Sequence, residues 1–181
     1  MNKNLALSKT TLVLHWLVGI TIIALIAVGI YMEEFEAWSL YPIHKSIGVI
    51  IFIFIVYRVI WRVKRGWPQP VSQYQKHEIV LSKLVHWVLI VGTLLFPISG
   101  MMMSGAGGHG IIVFGFELLA SNYNQAGEAV ALNESMAGLG HEVHETLGKV
   151  MMVAIGLHII GALKHHFIDK DDSFKRMLGK K

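Results

Sequence analysis

The sequence predicts an all-α integral membrane protein, a four-helix bundle formed by a single domain over residues 1–181. Hydrophobic residues make up 54% of the chain and charged residues only 15%. The mean hydropathy is +0.53. A water-soluble protein of this length needs more charge to cover its surface. Four separate segments are apolar over about the 20 residues that a helix needs to cross a bilayer.

The four apolar segments each fit a hydrocarbon core about 30 Å thick. They span about residues 12–32, 43–63, 79–103 and 141–163. Residues 111–119 are too few to span a membrane, and we expect them to lie on its outer surface as a short amphipathic piece. The sequence Trp67-Pro68-Gln69-Pro70 is typical of a stiff turn and separates the two helical pairs.

Basic residues are distributed unevenly between the connections. Residues 33–42 and 104–140 contain glutamates but no Lys or Arg, whereas residues 62–78 contain four and the tail from residue 164 contains six. Positively charged connections stay on the cytoplasmic side of a membrane. We therefore predict that both termini and residues 62–78 face the cytoplasm.

The chain has no cysteine, which limits the cofactors it can hold. Disulfides, iron–sulfur clusters, cysteine-type zinc sites and covalently attached c-type haem are all excluded. The net charge of +4 is too small to indicate a nucleic-acid partner. The surroundings predicted for this chain are membrane lipid. Any redox cofactor must be held by other side chains.

Histidines are the main candidates for those side chains, because ionisable residues inside a membrane span are costly and mark functional sites. Five of the ten histidines lie in the apolar segments or near their ends: His15, His44, His86, His144 and His158. His144 and His158 are 14 residues apart. That spacing separates them by about 21 Å along a helix and leaves both within about 40° of one face.

Each of these two histidines has a partner at its own depth. His15 can meet His158 on the cytoplasmic side, and His44 can meet His144 on the outer side. Two haems stacked across a bilayer require such ligands, whereas a lone interfacial residue explains only one histidine at a time. Zinc or proton transport is the competing interpretation. It is weakened because metal sites usually add carboxylates and no Asp or Glu lies in the central part of the four segments.

Three further residues lie near the predicted cytoplasmic pair or the outer end. His86 shares the depth of the cytoplasmic pair, so it is an alternative ligand, a haem-propionate partner or a capped polar residue. Arg58 is a candidate propionate partner, or one of the positive charges of the cytoplasmic side. His141 points about 100° away from the face of His158 and is the poorer ligand candidate.

Several distinct short motifs follow one another along nearly the whole chain. They are Leu14-His15-Trp16-Leu17, Ile43-His44-Lys45-Ser46-Ile47-Gly48, Tyr57-Arg58-Val59-Ile60-Trp61-Arg62, His86 with Pro97 and Gly100, His144-Glu145-Thr146-Leu147, Gly156-Leu157-His158, and Lys164-His165-His166-Phe167 followed by Asp169-Lys170-Asp171-Asp172. In this order and spacing the chain resembles the bacterial cytochrome b561 family, the short four-helix kind.

The resemblance implies a bundle that holds two b-type haems and passes electrons across the bacterial inner membrane. By motif, it implies His15, His44, His144 and His158 as the haem-iron ligands. A member of this family oxidises superoxide at the outer face and reduces ubiquinone, which implies an oxidoreductase of that kind here. The alternative is a cytochrome b relay or anchor subunit that passes electrons between quinone and a partner redox protein.

Three more residues are predicted to act on these substrates. His165 lies one heptad after His158, on the same seam near the cytoplasmic surface, and matches the quinone-side histidine of the family. Lys45 and Lys149 are the only basic residues near the outer face. We expect them to steer superoxide toward the outer haem; the alternative is that they pair with propionates or with Glu142 and Glu145.

Overall fold

The computed structural model describes residues 6–180, so residues 1–5 and 181 of the predicted domain lie outside the described part. Within it, the helices are α1 (Lys9–Glu34), α2 (Tyr41–Arg65), α3 (Lys76–Ala106), α4 (Glu134–Phe167) and the short α5 (Ser173–Met177). A 3₁₀ turn, Trp38–Leu40, leads into α2. Two strands, β1 (Ile111–Val113) and β2 (Phe116–Leu119), connect α3 to α4.

The first four helices are each long and apolar enough to cross a membrane, which confirms the predicted fold class. They extend beyond the apolar segments because polar residues cap their ends. The Ser8 side chain accepts a hydrogen bond from the Thr11 amide (3.2 Å) at the start of α1. Gln75 and Glu78 form a reciprocal capping box at the start of α3.

The bundle has two ends, which we name by what lies there. The terminal face carries the start of α1, the end of α2, the start of α3 and the end of α4. The hairpin face carries the opposite ends of these helices and the two strands. Large apolar side chains such as Val13, Ile53 and Val153 are exposed along the helices between these faces, as expected for surfaces in contact with lipid.

The interior between the two faces contains a cluster of buried apolar side chains. Ile55 and Met151 are completely buried there. The buried cluster around them consists of Val18, Ile22, Leu25, Ile26, Ile51 and Phe96. Met151 is seven residues from both His144 and His158, so this cluster lies between the two histidine levels of α4.

The helices do not pack equally closely. Helix α3 packs along α4, α1 packs along α2, and α2 contacts α3, whereas α4 makes few close backbone approaches to α1 or α2. The closest crossing is at Gly140, where an added Cβ would lie 2.6 Å from the Met103 nitrogen and 2.9 Å from its Cα. Since both atoms belong to the backbone of α3, only glycine fits at this position.

Residues 111–119, expected as a short amphipathic piece, form a β-hairpin. Strands β1 and β2 pair antiparallel, with Val113 opposite Phe116. The two turn residues, Phe114 (φ 46°) and Gly115 (φ 89°), both adopt the left-handed conformation that favours a two-residue hairpin. The β-branched run Ile111–Val113 before this turn explains why the segment forms a strand.

The hairpin is attached to the first turns of α2. The Ser46 hydroxyl accepts a hydrogen bond from the Phe114 amide (3.0 Å) and donates to the Pro42 carbonyl (2.7 Å). Ser46 is buried at this contact. The side chains of Phe114 and Phe116 point outward and are 64% and 79% exposed.

At the terminal face, the chain after α4 folds back over the bundle. The indole nitrogen of Trp16 donates to the Met177 carbonyl (2.8 Å). Arg176 donates to the Gln69 carbonyl (2.8 Å) in the connection between α2 and α3. These contacts join α5 to the first helix and to the proline-containing turn.

We expect Gly140→Ala to lower the free energy of unfolding by about 1–3 kcal/mol, because the methyl group would separate α3 from α4. Gly138→Ala is the matched control, since nothing lies within 4 Å of its added Cβ. Thermal unfolding followed by circular dichroism in detergent, at one fixed heating rate, compares the two variants. Equal melting temperatures for both would show that the Gly140 contact does not hold these helices together.

Candidate functional site

The histidine pair near the hairpin face joins α2 to α4. His44 lies in the first turn of α2 and His144 in α4, and their ring centroids are 6.5 Å apart with the planes at 79°. Helix α3 fixes the ring of His144. Its Nδ1 lies 3.0 Å from the Phe96 carbonyl and 3.1 Å from the Ser99 hydroxyl, and the Phe96 ring stacks on it at 4.4 Å.

These contacts determine which nitrogen of His144 is free. A carbonyl oxygen can only accept, so Nδ1 carries the proton and Nε2 keeps its lone pair for a metal. His44 differs, because its Nδ1 is buried and has no hydrogen-bond partner among residues 6–180. A buried polar atom of this kind is uncommon and indicates a partner that is not a protein side chain.

The second pair lies near the terminal face and joins α1 to α4. The ring centroids of His15 and His158 are 6.0 Å apart, with the planes at 58°. His86 of α3 also contacts this pair, at 5.1 Å from His158. Its Nδ1 lies 2.6 Å from the Ser82 carbonyl one turn earlier.

The ring separations fit two imidazoles that would hold one metal ion between them. With a metal–nitrogen bond of about 2 Å and roughly 1.1 Å from nitrogen to ring centroid, opposed imidazoles have centroids about 6.2 Å apart. The separations of 6.5 Å and 6.0 Å lie on either side of this value. His86 is too close to His158 to be its opposite ligand, so the geometry favours His15.

Two glycines leave open space beside the helices that carry His15 and His44. Gly19 and Gly48 lie four residues after His15 and His44, and nothing lies within 4 Å of a Cβ added at either glycine. Each of these glycines is one helical turn deeper in the bundle than its histidine.

Arg58 adds a positive charge to the terminal-face pair. It is half-buried in α2, close enough for its charge to act on the rings of His15 and His158. No carboxylate in the described part of the chain forms an ion pair with it. A cation in this position needs an anionic partner, and a haem propionate would fit that need.

The two lysines near the hairpin face make different contacts. Lys45 donates to the Ser104 hydroxyl (3.1 Å) and to the His109 carbonyl (3.4 Å), so it fastens the start of the α3–α4 connection beside His44. Lys149 is exposed and forms an ion pair with Glu145 at 2.6 Å. Lys45 follows His44 directly, and Lys149 follows His144 by five residues.

His165 lies at the end of α4, away from both histidine pairs, in a polar cluster on the terminal face. Its Nδ1 is 2.7 Å from the Asp169 carboxylate, and its ring centroid is 4.6 Å from that of Tyr74. Sequence reasoning did not find Tyr74 or Asp169, and it also missed the contact of Ser99 with His144. The four-residue spacing from His165 to Asp169 was the one signal available for the carboxylate.

The comparisons with known proteins agree with this geometry. Residues 6–180 match the family described as prokaryotic cytochrome b561. The chain belongs to that family. Its relatives include "Cytochrome b561 homolog 2" of Escherichia coli (strain K12), which is 34% identical over 92% of this chain and 87% of its own length. The resemblance predicted from the motifs is therefore confirmed.

Two other relatives are more distant. "Probable superoxide oxidase CybB" of Yersinia pestis is 27% identical over 93% of both chains. "Cytochrome b561 homolog 1" of Escherichia coli (strain K12) is 25% identical over 94% of this chain and 96% of its own length. This cytochrome b561 protein is thus a multi-pass membrane protein of electron transport, and its family implies b-type haem.

We expect Gly100→Ala to weaken haem binding through His144, because the added methyl would lie 3.0 Å from Cε1 and 3.2 Å from Nδ1 of that ring. The ring would have to move away from its contact with Phe96. Loss of such a supporting hydrogen bond lowers metal affinity by roughly 10–100-fold. Haem retention during purification, measured by absorbance, reports the effect.

The control for Gly100→Ala is Gly29→Ala. Gly29 faces His44 of the same pair, but its added Cβ would lie 3.7 Å from that ring, an ordinary contact. Gly29→Ala should retain haem as the unmodified protein does. Equal haem retention in the two variants would mean that the position of the His144 ring does not limit binding.

Proposed function

We propose that this protein binds two b-type haems, one between His44 and His144 and one between His15 and His158. The observation that carries the proposal is the ring-centroid separation of each pair, 6.5 Å and 6.0 Å. Bound b-type haem supplies one-electron transfer between ferrous and ferric iron. The side chains of this protein position the two groups, exclude water and bind the substrates.

The residues around each pair have separate tasks. Phe96 and Ser99 orient the His144 ring so that Nε2 faces the iron. Arg58 would hold a haem propionate on the terminal face, because no carboxylate among residues 6–180 forms an ion pair with it. The apolar cluster around Met151 fills the roughly 21 Å between the two histidine levels and keeps water out. Water exclusion favours electron transfer over side reactions of the reduced centres.

The electron donor that we propose is superoxide, arriving at the hairpin face. A relative of this chain is named a probable superoxide oxidase, which supports that chemistry. Lys45 is adjacent to His44, and Lys149 follows His144 by five residues. Their charges stand beside the hairpin-face pair and attract a small anion, although Glu145 reduces the effect of Lys149.

The electron acceptor that we propose is ubiquinone, bound at the terminal face near His165. Two superoxide ions give up one electron each and become dioxygen, while one quinone takes two electrons and two protons and becomes the hydroquinone. The excess of Lys and Arg at the terminal face supports a cytoplasmic position for that face. The family resemblance supports the bacterial inner membrane as the membrane. Protons for the quinone then come from the cytoplasm.

A relay between quinone and a partner redox protein is the second candidate. The feature that favours it is the outward-facing apolar tip of the hairpin, Phe114 and Phe116, which adjoins the α2 turn that carries His44. Exposed apolar patches of this kind often mark protein contacts. The partner would occupy the position assigned above to superoxide.

Proteoliposomes that contain the purified protein and ubiquinone separate these functions. Superoxide generated outside vesicles whose hairpin face is outward should reduce the protein and form hydroquinone without any added protein. Vesicles with the opposite orientation, identified by protease cleavage of the C-terminal tail, should not respond. Failure of superoxide to reduce the protein from either side, combined with reduction by hydroquinone, would favour the relay.

The same assay tests the two lysines. Lys45→Gln combined with Lys149→Gln should lower the second-order rate with superoxide and weaken its dependence on salt, with haem content unchanged. Lys64→Gln, at the terminal end of α2, is the control and should leave both quantities as they are. A double variant with the original rate and salt dependence would show that the two lysines do not steer superoxide.

A further inference from the structure

The strongest feature outside the two histidine pairs is the polar cluster at the end of α4. The Nδ1 of His165 lies 2.7 Å from one Asp169 carboxylate oxygen and 3.8 Å from an Asp171 oxygen. The Tyr74 hydroxyl donates to the same Asp171 oxygen (2.6 Å) and its ring lies against His165. All of these polar contacts of His165 involve Nδ1.

These contacts determine the tautomer of His165, that is, which ring nitrogen carries the proton. A hydrogen bond from the Lys164 ammonium lowers the pKa of Asp169 below its usual value, and the contact with His165 acts in the same direction although partial burial opposes both. Asp169 is therefore ionised near neutral pH and can only accept hydrogen bonds. The Nδ1 of His165 must carry a proton in this contact, so Nε2 is the nitrogen left to exchange one.

The other charged groups that face this cluster are already paired. Lys164 donates to Glu78 of α3 and to Asp169 (2.8 Å). Asp171 accepts from Tyr74 and from the Ser173 amide (2.8 Å). Among residues 6–180, Asp169 is thus the one carboxylate at close hydrogen-bond distance from His165.

We propose that Asp169 is a positioning residue for quinone reduction: by holding the Nδ1 proton of His165, it makes Nε2 the atom that passes a proton to the quinone oxygen. The proposal rests on the proposed function of the terminal face. The ring enters the transfer with a proton on both nitrogens. The Nε2–H bond then breaks and a quinone O–H bond forms, as the quinone takes up an electron that superoxide supplied, and the ring is left neutral with its proton on Nδ1. Cytoplasmic water then returns a proton to Nε2, and a second cycle completes the hydroquinone.

The most direct test is ¹⁵N NMR of the side-chain nitrogens of His165 in the chemically reduced protein, with the signals assigned by comparison with His165→Gln. We expect the neutral ring to carry its proton on Nδ1 in the unmodified protein. In Asp169→Asn, whose amide can also donate, that preference should be lost. An unmodified protein with the proton on Nε2 overturns the proposal, whatever any variant does.

The second test is reoxidation of the chemically reduced protein by a short-chain quinone, which needs no superoxide. Asp169→Asn should slow the maximal rate by about 10-fold, while the quinone concentration for half-maximal rate and the haem content stay unchanged. Asp169→Glu, which keeps the carboxylate, should recover most of the rate. An unchanged rate in Asp169→Asn overturns the proposal.

Two controls separate positioning from a structural role. Lys164→Gln removes the ion pair of Asp169 but leaves the His165 contact, so its rate should remain near that of the unmodified protein. Asp172→Asn changes an exposed carboxylate of the same segment that pairs only with Lys175 (3.0 Å), and it should have no effect. If Lys164→Gln is as slow as Asp169→Asn with the His165 proton still on Nδ1, the carboxylate acts only through the ion pair and the proposal fails.

Failure of the proposed quinone site gives a different result from failure of this inference. If His165→Gln is reoxidised by quinone as fast as the unmodified protein, His165 does not pass a proton to quinone. Both the proposed quinone site and the positioning role of Asp169 are then wrong. If His165→Gln is slow and Asp169→Asn is not, the quinone site stands and only the role of Asp169 is removed.

Discussion

The structure depends on one spatial constraint: α4 must stay apart from α1 and α2 while its two imidazoles face theirs. Helix α4 achieves this by packing almost entirely on α3, with Gly140 permitting backbone contact at their crossing. The opposing rings then stand 6.5 Å and 6.0 Å apart across a gap that no close backbone contact fills. A protein that relied on its own apolar packing alone would close such a gap, because interiors pack densely.

The two ends of the bundle support the same arrangement by different means. At the hairpin face, α3 holds His144 through Phe96 and Ser99, and the hairpin is fastened to α2 through Ser46. At the terminal face, the supporting groups are charged, and Arg58 has no ion-pair partner in the part of the chain that the structure describes. This difference fits a small anionic donor at one end and a proton-coupled acceptor at the other, because the second reaction needs ionisable side chains near water.

The sequence predicted those features that depend on regular spacing and on the cost of polar groups in lipid. The length of each apolar segment predicted the four helices, and the 14-residue spacing on α4 placed one histidine at each end. The hairpin was not predicted, because a short apolar run has no period that separates a strand from a helix. The contact of Asp169 with His165 was missed because α4 ends at Phe167, so helical spacing does not determine where Asp169 lies.

The central claim is that each histidine pair holds one b-type haem. The most direct measurement is the ratio of haem to protein in the purified chain, from a pyridine haemochrome assay combined with quantitative amino-acid analysis. Two haems per chain are expected for the unmodified protein, and one for each variant in which a single paired histidine is replaced by alanine. A ratio of one haem per chain in fully loaded, unmodified protein would contradict the claim.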